Sequence, residues 1–429
     1  MKKRFDKTAA MLIAAAVSAS LMTACGKTEE AAGFVPRLDT QAEITIDIAG
    51  FFGNYEALDA VTNSFNEIYP NVSFGYEQVG AEHLNEFMQN NPYVDIFMTA
   101  DDNIRSSAQP ERYVSDFCVD LAAEDIDLSA VTPEMQKGCT VDGRILSIPS
   151  GQKMYGMVVN KTLLANEGLS VPQTYPEFLD TLKALKEKGY TPVQGSSKMI
   201  YSYLITNMTA DLVGNDADFT AQLSNGDAAA VQKMTAVFSR LKELVDNGYT
   251  DPDLNASYPD DNYDGAILNF FEGDVPFWVA NTENASGMKK RESKSDKFTA
   301  EPFEYGFCYI PMGDEGVYEY KEAWYGFSLS KNSDNHDYAL EFLRFLATEE
   351  QLDTLASVKR VPTVTKNTSI ELYSDTTAPE KVQSSYVNDG SFNSYMISLL
   401  QKSGEGLADG TYSTAEDAAA AFVSEYSGK

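Results

Sequence analysis

Apolar and polar residues begin to alternate at Ile44, Ile46 and Ile48, which predicts a strand with one buried face. Leu58, Val61, Phe65 and Ile68 then fall on one face of a helix, with Gly53 or Asn54 able to begin it and Pro70 to stop it. Val72, Phe74 and Tyr76 alternate again, and Val94 to Met98 is a short apolar run typical of a buried strand. Strand, helix, strand, helix, strand is the rhythm of a sheet of parallel strands with helices on its faces, so the expected fold class is α/β.

The second half repeats the rhythm with clearer punctuation. Thr174 and Glu177 have the spacing of a capping box, and Phe178, Leu182 and Leu185 form the buried stripe behind it. Lys183, Lys186 and Lys188 suit the negative end of that helix, and Gly189 suits its cap. Thr191 to Val193 leads into another strand. Ala339, Phe342, Leu343 and Leu346 predict a helix, followed by a second capping box at Thr348 and Gln351. A last helix is expected from Ser413, with Glu416, to about Tyr426, its Ala418 to Ala421 run lying on the helix surface.

The N-terminus changes the picture of where the chain works. Lys2, Lys3, Arg4 and Lys7 precede an uncharged stretch from Thr8 to Met22, which is short for a bilayer span and has the length of a signal-peptide core. Residues 1–24 read as that leader, and residues 25–41 as a polar tether without a core pattern. The remaining length is too great for one compact core and suits two lobes. Cutting the leader removes four basic residues and one acidic residue, leaving 29 basic against 63 acidic, a balance of −34. A body so acidic repels nucleic acid and anionic lipid headgroups and favours a neutral or cationic ligand.

The thiols and histidines narrow the chemistry further. Cys118, Cys139 and Cys308 cannot all pair internally, and spacing leaves a Cys118–Cys139 disulfide open. His83 and His336 lie in separate polar segments, so metal sites and histidine-based triads have little material and no cofactor is expected.

Two resemblances sharpen these readings. Leu21-Met22-Thr23-Ala24-Cys25 resembles the lipobox of bacterial lipoproteins, with Met22 where Leu is more usual, and implies that Cys25 is diacylated. Two acyl chains anchor a protein stably without a transmembrane helix. Gly143-Arg144-Ile145-Leu146-Ser147-Ile148-Pro149, Tyr155-Gly156-Met157-Val158-Val159-Asn160-Lys161, Pro172 to Phe178, Phe271 to Pro276, Trp324 to Lys331 and Arg360-Val361-Pro362-Thr363 follow in order. Together they resemble the extracellular solute-binding proteins of ABC transporters, in the group that includes maltose-binding and other sugar-binding proteins.

That resemblance implies a two-lobed periplasmic-binding-protein-like fold of type II, with a hinged cleft between lobes. Carried onto this chain, lobe I covers 42–150 with 325–364, and lobe II covers 151–324 with 365–429. Binding then selects a closed state. The implied partners are a small-molecule ligand, a sugar above all, the ABC permease subunits, and the membrane through the lipid anchor. The protein is expected as a monomer on the extracellular face of the bacterial cytoplasmic membrane.

Ligands of open α/β sheets sit beyond the carboxyl ends of the strands. Phe51, Phe52, Asn54 and Tyr55 follow the first strand, and three aromatics in one polar loop suit either a ligand face or lobe packing. Asp101 and Asp102 follow the third strand and serve either as acceptors for ligand hydroxyls or as acids at a helix start. Gln152, Lys153 and Tyr155 stand at the first crossing between the lobes, which the resemblance puts near Ser150, and Tyr201 and Tyr203 lie where sugar-binding relatives place an aromatic or on a half-buried helix face. Trp278 reads as strand core, with Asn281 and Glu283 in the loop after it. Trp324 and Tyr325 at a later crossing, and Arg360 in the last matching segment, complete the ligand-binding candidates. Sugar rings present apolar C–H faces and a polar rim, which aromatics and planar polar groups match.

No catalytic residue is assigned. A receptor for a peptide or polyamine, with Asp101, Asp102 and Glu283 neutralising charge, remains an alternative. So do an exported glycoside hydrolase built on two of the many carboxylates and a sensory or adhesive lipoprotein.

Overall fold

A computed structural model describes residues 3–4, 34–53, 55–105, 113–258, 263–367, 379–388 and 391–428. Cys25 and Asn54 lie outside the described residues. The chain divides into two compact units, one of residues 1–150, 325–358 and 364–366, the other of 151–324, 359–363 and 367–429.

The first unit opens with β1 (Thr45–Gly50), α1 (Glu56–Ile68), β2 (Ser73–Gln78) and β3 (Ile96–Thr99), followed after a series of short turns by β4 (Ile148–Pro149). The second unit then takes β5 (Gln152–Asn160), β6 (Val193–Gln194), β7 (Phe277–Asn281), β8 (Tyr305–Cys308) and β9 (Val317–Ala323). The chain returns to the first unit for β10 (Gly326–Leu329), and β11 (Val382–Val387) belongs to the second.

In the first unit β1 lies between β2 and β3, parallel to both, as the strand–helix rhythm predicts. The late strand β10 departs from that rhythm, running antiparallel between β3 and β4. Lys3–Arg4 pairs on the outer edge of β2. On one face α1 buries Leu58, Val61 and Phe65, and it ends two residues before Pro70. It starts at Glu56 with Tyr55 in the capping position, later than Gly53 or Asn54. Phe65 meets Phe342 and Phe345 of a later helix (His336–Leu346) edge-on at 5.3 and 5.4 Å. Ala339, Leu343 and Leu346 of that helix are buried with them.

Residues 34–41 are not part of the free tether expected over 25–41. Phe34 lies edge-on against Phe345 at 5.2 Å, and the Arg37 N–H donates to Glu341 at 2.7 Å. The expected tether therefore ends on the body well before β1.

The second unit is a mixed sheet in the order β11, β9, β5, β7, β6, with β8 also pairing β5. Trp278 in β7 is core, 1% exposed. At the helix Tyr175–Glu187 the Thr174 hydroxyl accepts from Glu177 N–H at 3.3 Å, but the Glu177 carboxylate takes the Gln173 N–H at 2.8 Å. The expected box is thus one residue out of reciprocity. Gly189 has φ +94°, the left-handed conformation that ends a helix at little cost in glycine.

Two further cap expectations are corrected. Ahead of the helix Glu349–Lys359, Thr348 donates its hydroxyl back to the Phe345 carbonyl at 2.8 Å, because the preceding helix ends there and its last carbonyls need donors. The last helix spans Ala415–Ser427 with Thr414 and Asp417 as its box, one residue later than Ser413 and Glu416. Nor is the alanine run all surface. Ala418 and Ala419 are fully buried, on the face that brings Phe422 to 6.2 Å from Phe238 of the helix Ala228–Asp246. Small side chains here let two helices approach closely. Cys118 and Cys139 are buried thiols, not a disulfide.

Enlarging Ala418 to Leu should cost about 1–3 kcal/mol by overpacking this interface. The same change at exposed Ala420 should stay within about 0.5 kcal/mol. Denaturant unfolding midpoints of the two variants test the placement.

Candidate ligand-binding site

In the first unit the candidates gather where β1 and β3 end. Gly50 closes β1, and a Cβ there would stand 2.5 Å from the Met98 sulfur and 2.8 Å from the Tyr76 hydroxyl, so only glycine allows this approach. The Tyr76 hydroxyl accepts from Phe52 N–H at 2.9 Å and donates to the Phe52 carbonyl at 3.3 Å, fastening the loop. Phe52 is consequently buried, while Phe51 and Tyr55 keep part of their surface. Phe51 stands edge-on to Tyr325 at 5.0 Å, Phe52 lies 6.3 Å from the same ring, and Tyr55 packs on Tyr76 at 4.9 Å.

Tyr325 reaches this group because β10 runs antiparallel to β3, with Gly326 opposite Thr99, so the start of β10 lies at the carboxyl end of β3. Its carbonyl accepts from Ser150 N–H at 2.8 Å. Asp101 and Asp102 open a short helix, Asp101–Arg105, directly after β3, and their side chains lie outside the described residues. Asn103 in that helix was not foreseen. Fully buried, it accepts from Ala100 N–H at 3.0 Å and donates to the Ala81 carbonyl at 3.2 Å, holding the loop in place.

In the second unit most candidates converge on the start of β5. Gln152 donates its backbone N–H to the Pro362 carbonyl at 2.8 Å and its side-chain amide to Thr363, so it ties the 359–363 segment to the sheet. Arg360 in that segment has φ +57°, an uncommon conformation for a side-chain-bearing residue. Trp324 is 8% exposed, and its N–H donates to the Gly151 carbonyl at 2.8 Å. Asn281 pairs with Tyr155 in the ladder and is committed as a helix cap, accepting from Asn284 N–H at 2.9 Å. Glu283 follows in the first turn of that helix. Tyr201 is buried in a π-helical turn, its ring near Gly404 of the helix Ser394–Ala408.

Tyr155 is buried between Tyr203 at 5.1 Å and Tyr320 at 4.9 Å. Beside this stack lies a charged pair across β5 and β9, the Lys153 ammonium 2.6 Å from Glu322. Glu322 also accepts from the Tyr320 hydroxyl at 2.7 Å and from Asn388 at 3.2 Å. Burial works against the Lys153 charge, but the Glu322 carboxylate and Tyr155 outweigh it and hold the ammonium well above its ordinary range. The alternation in Val317–Ala323 marks a strand, yet nothing local in it reveals that Glu322 faces Lys153. Elsewhere in the unit, burial pushes the Asp211 carboxyl up to about 7, with the Arg240 charge opposing.

The family model described as bacterial extracellular solute-binding protein matches residues 53–353. This chain belongs to that family. Its fold is similar to that of a probable secreted solute-binding lipoprotein from Streptomyces coelicolor, at TM-score 0.70 and 16% identity over 89% of this chain and 98% of that one. A sugar transporter from Bacillus licheniformis, solved with stachyose, has TM-score 0.64 and 19% identity over 89% and 99%. The GacH receptor of Streptomyces glaucescens, solved unliganded and with acarbose, has TM-score 0.65 and 17% identity over 90% and 98%. No curated protein sequence matches the chain.

For this solute-binding protein the mixed α/β, two-lobed architecture expected from the sequence is therefore the one its structural neighbours share. Phe51, Tyr55 and Tyr325 keep part of their surface open, whereas Phe52, Tyr155, Tyr201 and Trp324 are almost wholly enclosed.

Removing one partner of this largely buried pair leaves the other charge uncompensated, so Lys153→Met or Glu322→Leu alone should cost about 3 kcal/mol. The double variant should recover most of that loss in denaturant unfolding. Asp211 has the opposite pH behaviour to a salt-bridged acid. Its folded pKa is raised, so its stabilisation is full below the ordinary carboxyl range and falls as pH rises through about 7. Asp211→Asn should raise Tm at pH 8 relative to the parent and leave it nearly level at pH 4.

Proposed function

We propose that this chain is the ligand-capturing receptor of an ABC importer, taking up a carbohydrate, in oligosaccharide form, outside the cell. The observation that carries the sugar reading is the edge-to-face group of Phe51, Phe52 and Tyr325, with Tyr55 beside it, at the carboxyl ends of the strands. Partly open aromatic rings supply flat apolar surface for the C–H faces of pyranose rings. The stachyose and acarbose with which two neighbours were solved point the same way. Gln152, Glu283, Asp101, Asp102 and Arg360 are the polar groups we assign to the ligand's rim, and Tyr155, Tyr201, Asn281 and Trp324 to the walls behind it.

Binding proceeds by closure of the two lobes, without change to the ligand's bonds. The leader over residues 1–24 is removed, Cys25 carries the lipid, and the monomeric receptor works on the outer face of the cytoplasmic membrane, delivering its cargo to the permease subunits.

The test is a thermal-shift and calorimetric screen of the mature chain against raffinose-type, malto- and xylo-oligosaccharides, peptides and polyamines. A true ligand at about 100 times its Kd adds about 2.7 kcal/mol, a rise of several degrees in Tm. A sugar response with the sugar recovered intact is the expected result. Binding of a polyamine or peptide alone would replace the ligand class, and cleavage of a sugar would replace the receptor by a hydrolase. Tyr325→Ala and Phe51→Ala should each weaken sugar binding by about tenfold, which is about 1.4 kcal/mol.

A further inference from the structure

The segment Phe34–Asp39 makes a set of contacts that neither ligand capture nor the core explains. Phe34 lies edge-on to Phe345 at 5.2 Å, with the Arg344 guanidinium 5.3 Å from its ring. The Arg37 N–H donates to Glu341 Oε1 at 2.7 Å, and Leu38 N–H reaches the Tyr69 hydroxyl at 3.4 Å. Tyr338 donates its hydroxyl to the Asp39 carbonyl at 3.2 Å. The Arg37 guanidinium also meets Asp125 at 3.0 Å, but that pair is exposed and contributes little.

Glu341 is the centre of this arrangement. It is 2% exposed, and its carboxylate accepts from the Tyr69 hydroxyl at 2.6 Å and from Arg344 as well as from the Arg37 backbone. A buried carboxylate has to be surrounded by donors, and one of those donors comes from a segment expected as part of the tether. Pro36, just before Arg37, restricts the backbone and lowers the entropy lost when the segment lies down.

We propose that Phe34–Asp39 is a strap that locks the N-terminal tether to the face formed by the helices Glu56–Ile68 and His336–Leu346, and so fixes which face of the first unit the membrane anchor holds. The proposal rests on the lipid-anchor reading of Cys25. The consequence is one of reach. From Cys25 to Phe34 the chain has nine Cα steps, about 30 Å at full extension, whereas from Cys25 to Thr45, with the strap released, it has 20 steps, about 70 Å. The docked strap more than halves the distance by which this face can leave the bilayer.

Hydrogen exchange on the mature chain tests the strap without any lipid. The Arg37 and Leu38 amides should exchange at least a hundredfold slower than in a free peptide. Exchange at the free-peptide rate overturns the proposal. Arg37→Pro removes the donor to Glu341 and should release the segment, whereas Arg37→Ala keeps that N–H and should leave it docked. The membrane half is read with acylated protein in phosphatidylcholine vesicles carrying an acceptor dye, and a genetically encoded fluorophore at position 350. Energy transfer should fall at least twofold in Arg37→Pro and hold in Arg37→Ala. Equal transfer in both overturns the tie between strap and anchor. Mass spectrometry of Cys25 separates the two readings: an unmodified thiol on the exported protein sinks the anchor, and with it the membrane half, while slow exchange at Arg37 would still establish the strap.

Discussion

The insertion of β10 between β3 and β4 is the constraint on which the first unit depends. Residues 326–329 supply hydrogen bonds to strands on both sides, so the sheet is continuous only when a segment from far along the chain is in place. The direction of that strand also decides what stands at its beginning. An antiparallel strand starts where its parallel-sheet neighbour ends, and Tyr325 is thereby delivered to the loop that carries Phe51 and Phe52. Had β10 run the other way, the same residue would lie at the opposite edge of the sheet. The aromatic group is a product of strand polarity as much as of composition.

Two buried carboxylates, one in each unit, are held in the same way. Glu322 sits among Lys153, Tyr320 and Asn388, and Glu341 among Arg344, Tyr69 and the Arg37 amide, each carboxylate meeting a cation and neutral donors together. Such pairs stabilise little against well-packed apolar replacements, yet they penalise any arrangement that separates them. In a chain this acidic, that penalty discriminates among many ways of placing carboxylates. The wide excess of Asp and Glu remains at the surface, where it is hydrated.

Periodicity made the local elements legible. The helices at 56–68, 175–187 and 336–346, the strands at 45–50 and 96–99, and the core role of Trp278 all follow from patterns a few residues long. The loop Phe51–Tyr55 and the residue Tyr325 were visible as candidates, but their meeting was not, because it depends on a pairing between segments more than two hundred residues apart. The same limit hid Glu322 opposite Lys153, and Glu341 beneath the strap. Composition misled at Ala418 and Ala419, where alanine is small enough to be surface or interface and only the neighbouring helix decides. The tether expectation fails at Phe34–Asp39, where the Phe34 ring packs on Phe345 and the backbone of Arg37, Leu38 and Asp39 makes hydrogen bonds that no side-chain pattern records.

The order in which the two units are completed bears on how the chain folds. The chain leaves the first unit after Ser150 and comes back to it at Tyr325. A polypeptide emerging amino end first therefore presents β3 and the aromatic loop long before β10 arrives to pair with them. Contacts of such long sequence separation form slowly, because loop closure precedes the reward. The delay leaves apolar strands in need of protection until nearly four-fifths of the chain has emerged.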